Sequence, residues 1–148
     1  MESKYYTPTI EEFHVGFEYE YYEQCLFDLP DKKTPIWINK VFGNEYEELD
    51  SVAYDIAQTP STIRIKYLDK EDIESLGWEY VEDRGMSENY GYTFNKPIQY
   101  LSGGDAWYKL RYWFTNHRVR IEPLGGPIFD GTIKNKSELK ILLKQLGI

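Results

Sequence analysis

The sequence predicts an α+β fold: a bent antiparallel β-sheet packed by a C-terminal amphipathic helix and by one or two further short helices. Three observations carry that expectation. Apolar residues alternate with polar ones along several short segments, the mark of half-buried strands. A leucine stripe of helical period closes the chain between a capping residue and a glycine. Aromatic residues make up 17% of the chain, fourteen of them tyrosines, whose bodies pack while their hydroxyls stay wet. At 148 residues the chain suits a single domain over 1–148, large enough to form a core without metal or disulfide staples.

In order along the chain, FHVGFEYEYY sets Phe13, Val15, Phe17, Tyr19 and Tyr21 on one face of an extended segment. His14, Gly16, Glu18, Glu20 and Tyr22 take the other. LPDKKTP, Leu29 to Pro35, has the composition of a connecting loop, and IWINKVF reads as a second strand. Asn44 is a helix N-cap followed by acidic residues that suit the positive end of the helix dipole. Tyr46, Leu49, Val52, Ala53 and Ile56 form the expected buried stripe, and the helix stops before Thr59-Pro60.

Ile63, Ile65 and Tyr67 alternate with Arg64 and Lys66, a strand pattern. Asp69 caps a short helical turn bearing Ile73 and Leu76, Gly77 ends it, and Trp78 and Tyr80 resume an extended course. EDRGMSENYG is a polar, glycine-punctuated loop, and YTFNKPIQYL a hairpin turning at Asn95-Lys96-Pro97. Near the C-terminus, Asn135 with Glu138 forms a capping box. Leu139, Leu142, Leu143 and Leu146 then recur at i, i+3, i+4 and i+7, and Gly147 terminates the helix.

The segment WYKLRYWFTNHRVRI, Trp107 to Ile121, concentrates three of five arginines beside two of four tryptophans. A two-residue turn at Asn116-His117 pairs Trp113 with Arg120 and Arg111 with Glu122. Directly opposed residues share a sheet face. Leu110, Tyr112, Phe114, Val119 and Ile121 then face the core, while Trp107, Lys109, Arg111, Trp113, Arg118, Arg120 and Glu122 face outward. Indole offers a stacking plate for a base, and guanidinium offers paired donors matched to phosphate oxygens. Trp107, Lys109, Arg111, Trp113, Arg118 and Arg120 are therefore the candidate ligand-binding residues. The competing structural expectation is that the same residues only pack long stems over rings.

Charge and motif content exclude other classes. A net charge of -8 disfavours generic nucleic-acid binding, which needs many cations on one face. No apolar run spans a membrane. The single Cys25 excludes an internal disulfide, and MESKYYTPTIEEF has no secretory signature, which points to the cytosol. Cys25 reads as a small buried hydrophobe and LGGPIFDG as a turn without phosphate-loop spacing. His14, Glu18 and Glu20 share a strand face but lack further ligands, so no metal or cofactor is expected. His117 has no Ser or Cys partner in sequence, and catalysis is not expected.

YTPTIEEFHVGFEYE, IRIKYLDKEDIESLGWEY and FDGTIKNKSELKILLKQLGI together resemble an uncharacterised family of small proteins encoded by bacteriophages and prophages. The resemblance covers about a third of the chain and transfers no functional residue. It implies a protein working in the host bacterial cytoplasm. The expected function is that of a phage accessory anti-defence protein, which binds and sequesters a small nucleotide or ADP-ribose-derived immune signal without catalysis. Two alternatives stand beside it. One is an acidic protein-binding inhibitor of a host defence enzyme, acting through Glu11, Glu12, Glu18, Glu20, Glu45, Glu47, Glu48 and Asp50; the other is an enzyme that degrades the signal. Abundant aromatics leave homo-oligomerisation open.

Overall fold

In a computed structural model, residues 4–23, 36–43, 46–83, 90–98, 106–123 and 125–148 are described. Cys25, Asn44 and most of the EDRGMSENYG loop lie outside these residues. The fold is α+β, with two antiparallel sheets of four and five strands and three α-helices. The chain divides into two compact units, Met1–Tyr67 and Leu68–Ile148.

The first unit contains β1 (Tyr5–Tyr6), β2 (Glu18–Glu23), β3 (Ile36–Val41), α1 (Tyr46–Gln58) and β4 (Ile63–Lys66), with sheet order β1-β4-β2-β3. Its core gathers Phe17, Tyr19, Phe42, Val52, Ile63 and Ile65. The long strand expected from Phe13 starts only at Glu18. Gly16 at φ 87° turns the chain, and residues 16 and 17 together oppose Phe42: Gly16 N–H donates to the Phe42 carbonyl, and Phe42 N–H to that of Phe17. This bulge breaks the alternation. Phe13 packs within 5.4 Å of the Phe17, Tyr19 and Phe42 rings, whereas Val15 is 64% exposed. In α1, Val52 is buried as expected, but Leu49 is 39% exposed and leaves the stripe.

Arg64 pins the other face of this sheet. Its guanidinium lies 3.8 Å from both the Tyr5 and Trp37 ring centroids and pairs with Glu20 at 2.6 Å. Arg64 thus fastens β4 to β1, β2 and β3 by ring contact and charge.

The second unit is a five-stranded meander: β5 (Glu79–Val81), β6 (Gly91–Pro97), β7 (Trp107–Trp113), β8 (Arg118–Glu122) and β9 (Phe129–Thr132). α2 (Lys70–Ser75) precedes it and α3 (Lys136–Leu146) follows. Both helices start at side-chain caps. The Asp69 carboxylate accepts the Asp72 N–H, and the Asn135 side-chain oxygen accepts the Glu138 N–H at 2.9 Å. Glu138 itself takes the Lys134 N–H at 2.6 Å, one residue outside the expected box.

Phe94, Leu110, Val119 and Ile121 on the inner sheet face pack with Ile73, Trp78, Leu139 and Leu143. The Tyr112 hydroxyl, buried in this core, donates to the Leu68 carbonyl at 2.6 Å. With that proton committed, His117 Nδ1, 3.2 Å away, carries the hydrogen that completes the pair.

Two expectations are corrected in this unit. Asn95-Lys96-Pro97 is no turn, because β6 runs through it to pair with β7 from Gly91↔Trp113 to Pro97↔Trp107. The Ile98 N–H reaches Ala106, so the nitrogen of Pro97 faces the other way, beyond the end of β5, and its missing N–H breaks no ladder. FDGT, expected as part of a turn, is the edge strand β9.

Candidate functional site

The β7–β8 register decides what the arginine segment presents. Trp113 pairs with Arg118, Tyr112 with Val119, Arg111 with Arg120 and Lys109 with Glu122. The turn is therefore a four-residue loop, Phe114 to His117, and the expected pairing is shifted by two positions. A two-residue turn of the favoured type needs positive φ at both centres. Here only His117 adopts it, at 53°, and the Asn116 side chain instead accepts the Arg118 N–H at 3.2 Å. Side-chain direction has period two, so an even slip leaves each residue on its expected face. Phe114 and Thr115 are moved from the strand into the loop, where Phe114 packs 5.7 Å from Tyr92.

Trp107, Lys109, Arg111, Trp113, Arg118 and Arg120 thus lie on one outward face, and carboxylates interleave with them. Arg111 and Arg120 oppose each other directly, a repulsive pair on their own. Glu122 sits between them, pairing with Nη1 of Arg111 and standing 3.8 Å from Nη2 of Arg120. Asp83 adds a second contact to Arg111 at 3.5 Å while accepting the Thr93 hydroxyl at 3.3 Å. Arg118 grips Asp130 with two bonds of 2.7 and 2.8 Å and lies 5.5 Å from the Trp113 centroid. The bidentate pair raises the guanidinium pKa above its ordinary value and lowers that of the Asp130 carboxyl.

The face therefore has a neutralised part and an open part. At the open end lies a recess of about 500 Å³ lined by Asn95, Trp107, Lys109 and Arg111 on β6 and β7, and by Glu122, Pro123, Gly125 and Gly126 on the other side. Gly125 and Gly126, at φ 122° and 128°, carry the rim through backbone conformations that other residues rarely adopt. Three lining groups lack partners among the described residues. The Asn95 side-chain oxygen is buried without a hydrogen bond. Lys109 has no ion pair among the described residues, and Trp107, 38% exposed, stacks on no described ring.

Three of the six candidate residues, Trp107, Lys109 and Arg111, line this recess. Trp113, Arg118 and Arg120 share its sheet face but not its lining. Sequence reasoning passed over Asn95 as a turn residue, and Asp83 and Asp130 altogether. Parity across a continuous β6 would have placed Asn95 opposite Lys109. His14, proposed to share a face with Glu18 and Glu20, lies before β2 and hydrogen-bonds the Glu12 carbonyl at 3.0 Å; Glu20 is held by Arg64. Among the described residues, no three His, Cys, Asp or Glu side chains are grouped to hold a metal ion. No described helix is long and apolar enough to cross a membrane.

Fold and site together define an α+β protein with an open, mixed-charge recess on the outer face of a meander sheet. Compared with known proteins, the chain matches no family model, and no curated protein or solved structure is significantly similar to it.

Proposed function

We propose that the protein is a non-enzymatic binding protein that captures a small nucleotide-derived anion in the recess beside Trp107. The observation that carries this is the coincidence, in one recess, of an indole and an ammonium without partners among the described residues and of a buried amide oxygen without a hydrogen bond. An indole face accepts a heterocyclic base. Lys109 supplies charge to a phosphate, and Asn95 an acceptor for a ring or exocyclic N–H. Arg111, already shared by Glu122 and Asp83, contributes orientation more than net charge. Trp113, Arg118 and Arg120 flank the recess. The resemblance of three segments to phage-encoded proteins sets the capture in an infected bacterium, as sequestration of an immune signal.

Calorimetric titration against cyclic mono- and dinucleotides and ADP-ribose derivatives tests this. One ligand should bind, and Trp107→Ala and Lys109→Ala should each weaken it at least about tenfold, or about 1.4 kcal/mol, with the fold intact by circular dichroism. Recovery of the intact ligand after denaturation marks capture; recovery of a cleaved product favours the degrading enzyme. No binding across the panel overturns the proposal.

A second reading, inhibition of a basic host protein, is favoured by the charge distribution. Residues 1–67 hold thirteen acidic and six basic residues, a net -7, against twelve and eleven, a net -1, in residues 68–148. A stoichiometric host partner whose affinity falls steeply with salt would support it.

A further inference from the structure

The geometry points to β3 as the seam of a symmetric homodimer, its outer edge, unpaired among the described residues, pairing antiparallel with the same strand of a second copy about a twofold axis at Asn39. β3 closes one side of the four-stranded sheet and offers six residues, whereas the other described edge strands, β1, β5 and β9, offer two, three and four. Because the Phe42 N–H points to β2, alternation turns the N–H and C=O groups of Trp37, Asn39 and Val41 outward. An unpaired row of this kind is a template for another strand.

Among the described residues, no proline or bulge interrupts the course of β3, and an inward-turned lysine is the one blunting device on it. Lys40, the one charge in residues 36–43, is turned onto the inner face with Nζ 4.7 Å from the Tyr21 centroid. The bulge at Phe42 lies past the strand's end, and Trp37 is held extended by Arg64 and by Tyr22, 5.5 Å away.

The occupant follows from charge and register. Two copies of a chain with net charge -8 repel wherever carboxylates meet, but residues 36–43 contain none. In antiparallel pairing, outward-bonding residues oppose only outward-bonding residues. With Asn39 on the axis, Trp37 meets the second copy's Val41, Ile38 meets its Lys40 and Ile36 meets its Phe42. No like charges face each other, and Val41 and Ile36, 62% and 48% exposed, gain apolar neighbours. About six interchain hydrogen bonds then join the two four-stranded sheets into one.

Light scattering coupled to gel filtration should give twice the 17.6 kDa chain mass for the wild type. Asn39→Pro removes an outward N–H without touching the bond to β2 and should return the single-chain mass with an unchanged circular dichroism spectrum. If that variant does not fold, Val41→Lys, which leaves the backbone intact, decides the same point. Opposed Cα atoms in a bonded antiparallel pair lie about 5.5 Å apart, within disulfide reach. Asn39→Cys in a Cys25→Ser background should therefore cross-link on oxidation. A single-chain mass for the wild type, a dimer surviving the folded edge variant, or a dimer that fails to cross-link at position 39 would each overturn the proposal.

Discussion

Tyr19 illustrates how burial and one carboxylate act together. Its ring is in the core of the first unit, and its hydroxyl donates to Glu48 at 3.5 Å. Burial, then the negative charge of Glu48, raises its pKa from 10.0 to about 12. The folded state therefore holds this proton to higher pH than the unfolded state. The associated stability is whole below pH 10.0 and is lost as pH rises through about 12. That loss is on the order of 2–3 kcal/mol. Urea unfolding at pH about 9 and about 11 should show about half of it in the wild type and much less in Tyr19→Phe. Asp130 works in the opposite sense: its lowered pKa contributes only above the usual carboxyl range and fades as pH falls, weakly because the pair is solvated.

At the scale of elements, legibility followed the range of the interactions involved. α3 was readable to its caps, because Asn135, the leucine stripe and Gly147 lie within a few residues of the backbone groups they satisfy. Leu139→Ala should cost about 2–5 kcal/mol. Asn135→Ala should cost about 1 kcal/mol. Urea denaturation followed at 222 nm, the helix band, measures both. The β7–β8 hairpin was readable in its faces and not in its loop, since the two-position shift preserves parity while moving Phe114. β2 was misread from Phe13 to Phe17 because a bulge opposite Phe42 depends on a strand more than twenty residues away. The candidate site divides in the same way. Trp107, Lys109 and Arg111 followed from local alternation, whereas the Asn95 wall needed the β6–β7 pairing.

For the whole molecule, charge is the property that sequence order distributes unevenly. The net -7 of residues 1–67 makes that unit self-repelling at low ionic strength, while the near-neutral unit of residues 68–148 has little to screen. Raising salt from about 0.01 M to about 0.15 M shortens the Debye length from about 30 to about 8 Å. Hydrogen-exchange protection should then rise across β2, β3 and α1 and change little in β7, β8 and α3. Equal responses in the two units would show that residual ion pairs outweigh the net charge.

The sequence by itself determined which residues share a face in β4, β7 and β8, where α2 and α3 begin, and that guanidinium and indole groups project together from β7 and β8. These depend on backbone periodicity and on partners a few positions away. Tertiary structure alone decided that the strands fall into two sheets, that Glu122, Asp83 and Asp130 neutralise the arginines, and that Asn95 closes a recess with Trp107 and Lys109. Those outcomes rest on pairing between segments distant in sequence, and a carboxylate's effect on an arginine is set by their separation in space.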